Sequence, residues 1–188
     1  IAMDPLVSIN KLQILLSKVD HDLGSVPLYF KDAILNEPIK KLIDGEVDFA
    51  IGHLKDFNNH KIEAKSFCNI SLQAVISKEL LQEQKVSTKI LNKFPNIIVQ
   101  HKDYGLNKTN LASERKWYVT SHALKEEMIL KGLGWGKISK ESINSEVNKG
   151  KLIKISTKII PFQELEIYFM RNKSMPLGPI SKRIWELI

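Results

Sequence analysis

The chain has 188 residues, with 28 Lys+Arg against 21 Asp+Glu, a formal charge of +7, and a hydrophobic share of 43%. Length and apolar content suit one globular domain, or two small lobes, and exclude a disordered or collagenous chain. A single cysteine, Cys68, excludes an intramolecular disulfide framework or a multi-cysteine zinc site.

Ile1-Ala2-Met3 reads as the last residues of a strand that ends at Asp4-Pro5. With no basic or long apolar region it is not a signal peptide, so the expectation is a piece of a longer polypeptide. Ser8 is placed to cap a helix running to about Asp22, with Ile9, Leu12, Leu15, Leu16 and Val19 as its apolar stripe. Val26 to Lys31 reads as a strand with Val26, Leu28 and Phe30 on one face. Asn36 then caps a short helix, Glu37 to Asp44, which tolerates Pro38 in its first turn and closes on Gly45. Val47 to Gly52 is a mostly apolar run of the kind buried in parallel sheets. Ile62 to Ile76 carries strand-like residues broken by Asn69, and Lys78 to Gln84 is a short helix. Ser87 caps a further turn or two to Lys93, before a strand from Asn96 to Gln100. The polar stretch His101 to Glu114 is long enough for a binding loop or lid. Lys116 to Thr120 is a strand, Ser121 caps a helix through Lys131, and Gly134 to Ile138 is a short strand. Ser139 caps a helix closed by Gly150. Leu152 to Ile155 and Glu166 to Met170 are strands, and Gly178-Pro179 opens a C-terminal amphipathic helix. The alternation of strands and helices is that of an α/β fold with parallel sheets.

The basic excess does not point to nucleic acid. Only Arg115, Arg171 and Arg183 are arginines, and the lysines are scattered rather than gathered in one stripe. No catalytic constellation emerges either. His21, His53, His60, His101 and His122 lack metal-site spacing, and there is no nucleophile elbow. Cys68 reads as a structural thiol and Asp48 as a partner for backbone. Gly132-Leu133-Gly134-Trp135-Gly136 follows a helix and opens a strand, the reverse of a dinucleotide fingerprint. Its glycines allow tight turning, and Trp135 either packs in the core or lines a cleft. Helices that start at Ser8, Asn36 and Ser121 directly after strands place their N-termini beyond the carboxyl ends of a parallel sheet. Ligands bind open α/β sheets there, with anions favoured by free N–H groups and the helix dipole.

Leu42-Ile43-Asp44-Gly45-Glu46-Val47-Asp48-Phe49-Ala50-Ile51-Gly52 resembles the L-x-x-G-x-V-D-x-A-I-G segment of LysR-type transcriptional regulators. Trp117 to Ile155 is similar to their effector domain: a strand with Trp-x-Val, a helix, Gly-Leu-Gly-Trp-Gly, a second helix, then Gly-Lys-Leu-Ile-Lys-Ile. The Asp4-Pro5-Leu6 opening and the final Ile167 to Arg171 followed by a Pro-opened helix fit the same pattern. Two positions depart from it: Ser139 stands where the family has Pro, and Lys78-Glu79-Leu80 replaces His-Pro-Leu.

The resemblance implies a two-lobed fold like the type 2 periplasmic binding proteins, each lobe a small sheet flanked by helices and joined by two crossover strands. Lobe I would comprise residues 1–74 plus 163–188, and lobe II residues 75–162. A small-molecule effector would lie in the interlobe cleft, lined by Pro5, Leu6, Val7, Ser8, Leu35, Asn36, Gln100, His101, Ser121, His122, Trp135 and Gly136. The implied protein is a cytoplasmic, non-enzymatic regulator without cofactor, metal or membrane partner. It would form homodimers or homotetramers and touch DNA only through a winged helix-turn-helix domain absent from this chain. The alternatives are a periplasmic-type solute-binding protein for a small anionic or amino-acid-like ligand, and an enzyme on the same scaffold.

Overall fold

The computed structural model describes residues 1–24, 26–54, 60–100 and 113–188, except for the side chains of residues 145, 146 and 148. They divide into unit 1, Ile1–Ile70 with Leu165–Ile188, and unit 2, Ser71–Glu164.

Unit 1 opens with β1 (Ala2–Met3), which runs parallel to both β2 (Lys31–Asp32) and β3 (Phe49–His53). β9 (Gln163–Asn172) lies antiparallel on the other side of β3, and β4 (Ile62–Ser77) follows it, giving the order β2-β1-β3-β9-β4. The expected strand from Val26 is replaced by the two-residue β2. Pro27 has no N–H to donate, and β1 offers only Ala2 and Met3 as partners. α1 (Ile9–Leu23) buries Leu12, Leu15 and Val19, which share one helical face. It stops at Gly24, whose φ of 54° few other residues adopt. α2 (Glu37–Ile43) carries Pro38 in its first turn and buries it with Leu42. With Leu42 of α2, Ala2, Ala33, Val47, Ala50, Leu54, Ile62 and Met170 form one core cluster, on which Ile39 and Ile43 of the same helix pack. Phe49, Phe169 and Trp185 of α7 (Pro179–Glu186) form another, with ring centroids 4.9 to 6.4 Å apart.

β4 is a single strand of 16 residues, uninterrupted at Asn69, and with β9 it carries the chain between the units. In unit 2 it pairs antiparallel with β7 (Trp135–Ser139) and with β8 (Leu152–Lys154). β7 runs parallel to β5 (Asn96–Val99), and β5 to β6 (Lys116–Val119). α3 (Lys78–Leu81) ends earlier than its composition suggests, because Gln82 and Glu83 take φ of 45° and 66°. Ser77, Ser87 and Ser121 cap α3, α4 (Thr88–Leu91) and α5 (His122–Leu130), each hydroxyl accepting a first-turn N–H. α6 (Lys140–Asn148) follows β7, and Ser139 Oγ accepts the N–H of Ser142 at 3.1 Å. The unit's core gathers Ala74, Ile76, Leu81, Leu91, Trp135, Ile155 and Ile160.

Candidate functional site

In unit 1 the segment Pro5–Ser8 joins β1 to α1, and Leu35–Asn36 leads into α2. A residue outside the sequence-derived set draws them together. Asp4 is 4% exposed, and its Oδ1 accepts the N–H of Leu6 at 2.9 Å. Its carboxyl also accepts the N–H of Leu35, while its own N–H donates to the Ile51 carbonyl at 2.8 Å. Burial pushes the carboxyl up to about 6, against the two N–H donors and the charge of His53, which favour ionisation. Leu35 is held at a φ of 58°, a conformation that costs a residue with a Cβ roughly 1–3 kcal/mol. Pro5 and Asn36 are exposed, Leu6, Ser8 and Leu35 half-buried, and Val7 lies in the core.

The caps here differ from expectation. Ser8 and Asn36 occupy N-cap positions, yet neither side chain accepts a bond from its helix. The Glu37 carboxylate accepts the N–H of Ile34, ahead of α2, at 2.8 Å. Ser8 Oγ is buried and, among the described residues, has no hydrogen-bond partner.

In unit 2 Gln100 is 8% exposed and follows β5, and Ser121 caps α5 by accepting the Leu124 N–H at 3.3 Å. His122, the first residue of α5, is half-buried, and burial reinforced by the Lys125 charge lowers its imidazole to about 4. It is therefore neutral at physiological pH. His101 lies outside the described residues.

Trp135 and Gly136 are both buried. Trp135 is fully enclosed in the core, and its Nε1 donates to the Leu91 carbonyl at 3.1 Å. The ring is therefore a packing element, the first of the two places the sequence left open for it. A Cβ on Gly136 would stand 2.8 Å from the Ile97 carbonyl oxygen and 3.0 Å from Lys125 Cε. Gly136 is required for the approach of β5 and α5, and it presents no side chain.

Lys125 was hidden in the sequence by its neighbours Glu126 and Glu127, which make it look like part of a solvated charge run. It is instead 8% exposed, on the same stripe of α5 as Ile129. Burial lowers its ammonium to about 8; the Lys137 charge also lowers it and Glu126 opposes. Among the described residues no group of three or more His, Cys, Asp or Glu side chains is placed to hold a metal ion. No helix among them is long and apolar enough to cross a membrane.

A family model described as the LysR substrate binding domain matches residues 1–188. Among solved structures, the chain is similar to the regulatory domain of HypT from Salmonella typhimurium. The two are 15% identical with a TM-score of 0.72, over 98% of this chain and 90% of that one. It is also similar to full-length LysG from Corynebacterium glutamicum with bound effector Arg, at 17% identity and a TM-score of 0.71. That match covers 99% of this chain and 64% of LysG. CrgA from Neisseria meningitidis, a LysR-type transcriptional regulator, matches at 14% identity and a TM-score of 0.73, over 99% of this chain and 65% of its own. A search of curated proteins finds no significant match.

Proposed function

The chain belongs to the LysR substrate-binding domain family, and from that premise we propose that it senses a small-molecule effector for a LysR-type transcription regulator. The observation that carries the reading is the gathering of Pro5–Ser8 and Leu35–Asn36 on the Asp4 carboxyl, at the carboxyl end of a parallel strand. A strained Leu35 and an uncommitted Ser8 hydroxyl stand at that point. Gln100, Ser121 and His122 are the corresponding residues of unit 2. The two lobes in this reading are residues 1–74 with 163–188, and 75–162.

The mechanism needs no covalent step. An effector that binds one conformation more tightly than another shifts the population toward it, and a difference of roughly 1–3 kcal/mol suffices. The relative LysG is described with bound Arg, and DarR of Vibrio fischeri in complex with DNA. By analogy, DNA is read by a winged helix-turn-helix part outside this chain, in a cytoplasmic homodimer or homotetramer. The domain itself catalyses no reaction.

Thermal unfolding of the chain against a panel of cellular metabolites tests this. A saturable rise in Tm with one compound, diminished in Ser8→Ala and Ser121→Ala, is the expected result. A compound that stabilises both variants as strongly as the parent chain overturns the site, and a panel without any saturable response counts against effector sensing.

A further inference from the structure

Lys78-Glu79, where the chain departs from the His-Pro of the family pattern, lines a cavity of 640 Å³ that lies wholly within unit 2. Clefts that hold small molecules run to roughly 300–1,000 Å³. One wall is α3 with Gln82 and Glu83 just beyond it. A second is the end of α5, at Glu127, Leu130 and Lys131, and a third is Gly150-Lys151 between α6 and β8. The N–H of Lys78 donates to the Lys151 carbonyl at 2.9 Å, which ties the first wall to the third. α5 is nine residues long, so about 13 Å of helix separates this cavity from Ser121 and His122 at the other end. It is a different place from the one proposed for the effector.

The charges of the lining balance. Lys78, Lys131 and Lys151 stand with Glu79, Glu83 and Glu127 around the same space, and Leu130 is the apolar residue among them. Among the described residues, the side chains of Lys78, Lys131 and the three glutamates form neither an ion pair nor a hydrogen bond. Glu127 and Lys131 make the point most clearly. A Glu four residues ahead of a Lys is the favourable arrangement for an ion pair on a helix. Here α5 ends at Leu130, Lys131 is the C-cap, and only its backbone N–H meets the Glu127 carbonyl. The first wall is also strained. Gln82 and Glu83 take left-handed φ of 45° and 66°, which residues with a Cβ hold only where the surroundings impose it.

We propose that this cavity is a second ligand site, which takes a zwitterion of the amino-acid or short-peptide class. Its ammonium meets the glutamates and its carboxylate meets the lysines. A ligand with one charge is attracted by half of the lining and repelled by the other half, because the lining sums to zero. A ligand with opposite charges at its two ends accepts and donates charge-assisted hydrogen bonds at both. The apolar middle of such a molecule packs on Leu130.

The test titrates the chain with L-alanine, glycylglycine and triglycine, followed by amide NMR. Sodium acetate and methylammonium chloride serve as single-charge controls at equal ionic strength. Saturable shifts at Lys131, Gly150 and Lys151 are expected with at least one zwitterion and with neither control. Saturation by alanine identifies a free amino acid as the ligand class, and saturation by triglycine alone a short peptide. Glu127→Gln and Lys131→Gln change exposed side chains and should each weaken that binding at least fivefold while the remaining spectrum is kept. The site is overturned when no zwitterion saturates, when acetate or methylammonium binds as tightly, or when both variants bind undiminished. Saturable shifts confined to Ser121–Leu124 also overturn it, and in that case they support the effector site instead.

Discussion

Asp4 is a carboxyl on which burial and hydrogen bonding act in opposite directions, with burial prevailing. Its folded value of about 6 lies above the ordinary 3.8, so the stability it contributes is fully present below about pH 4 and is lost as pH rises through about 6. The span corresponds to about 3 kcal/mol at most. Asp4→Asn should therefore flatten urea-denaturation stability across that window. His122 acts in the opposite sense: lowered to about 4, it contributes stability above its ordinary 6.5 that is lost as pH falls toward 4. The comparison is cleanest in a His122→Gln background. Lys125, lowered from 10.5 to about 8, makes the chain more stable as pH rises from about 8 to 10.5, because the unfolded state binds more protons there. Lys125→Met should abolish that rise, on the order of 3 kcal/mol, in the same assay.

The close passage of β7 beside β5 depends on glycine. A Cβ on Gly134 would fall 2.4 Å from the Pro95 carbonyl oxygen, a backbone atom that cannot swing aside. Gly134→Ala should cost about 1–3 kcal/mol or more in urea denaturation, through displacement of β7. One residue on, Trp135→Phe should cost about 1–3 kcal/mol, since the Leu91 carbonyl then loses its donor in the core. In unit 1, Trp185 joins α7 to the sheet, stacked on Phe49 at 6.4 Å with Lys65 Nζ 4.7 Å above its ring. Trp185→Ala should destabilise by about 3–5 kcal/mol, read as a fall in Tm. These elements show how unevenly the sequence reveals its structure. α1, β3 and the caps at Ser87 and Ser121 follow from apolar spacing and side-chain chemistry within a few residues. The lost strand at Val26 to Phe30 does not, because strand formation needs a partner and β1 is two residues long.

At the scale of the molecule, the order of segments was enough to indicate a LysR-type effector domain. Amphipathic periods, glycine turns and strand-to-helix junctions are local patterns, and a family is the sequence in which they occur. The candidate site was legible in part. Pro5–Ser8 and Leu35–Asn36 could be placed at helix heads, because Ser and Asn in that context have few other uses. That Asp4 binds the two segments together was not legible, since residues about thirty positions apart meet only once β1, β2 and β3 are side by side. Local chemistry left the place of Trp135 open and did not single out Lys125. An aromatic between glycines reads equally as core or ligand contact, and a lysine beside two glutamates reads as surface. Burial decides each case, and burial is a sum over neighbours contributed by distant parts of the chain. The sequence alone determined the elements, their order and the kind of domain they build. The tertiary structure decided which side chains are enclosed and which segments meet, because burial and long-range pairing are set by distant parts of the chain.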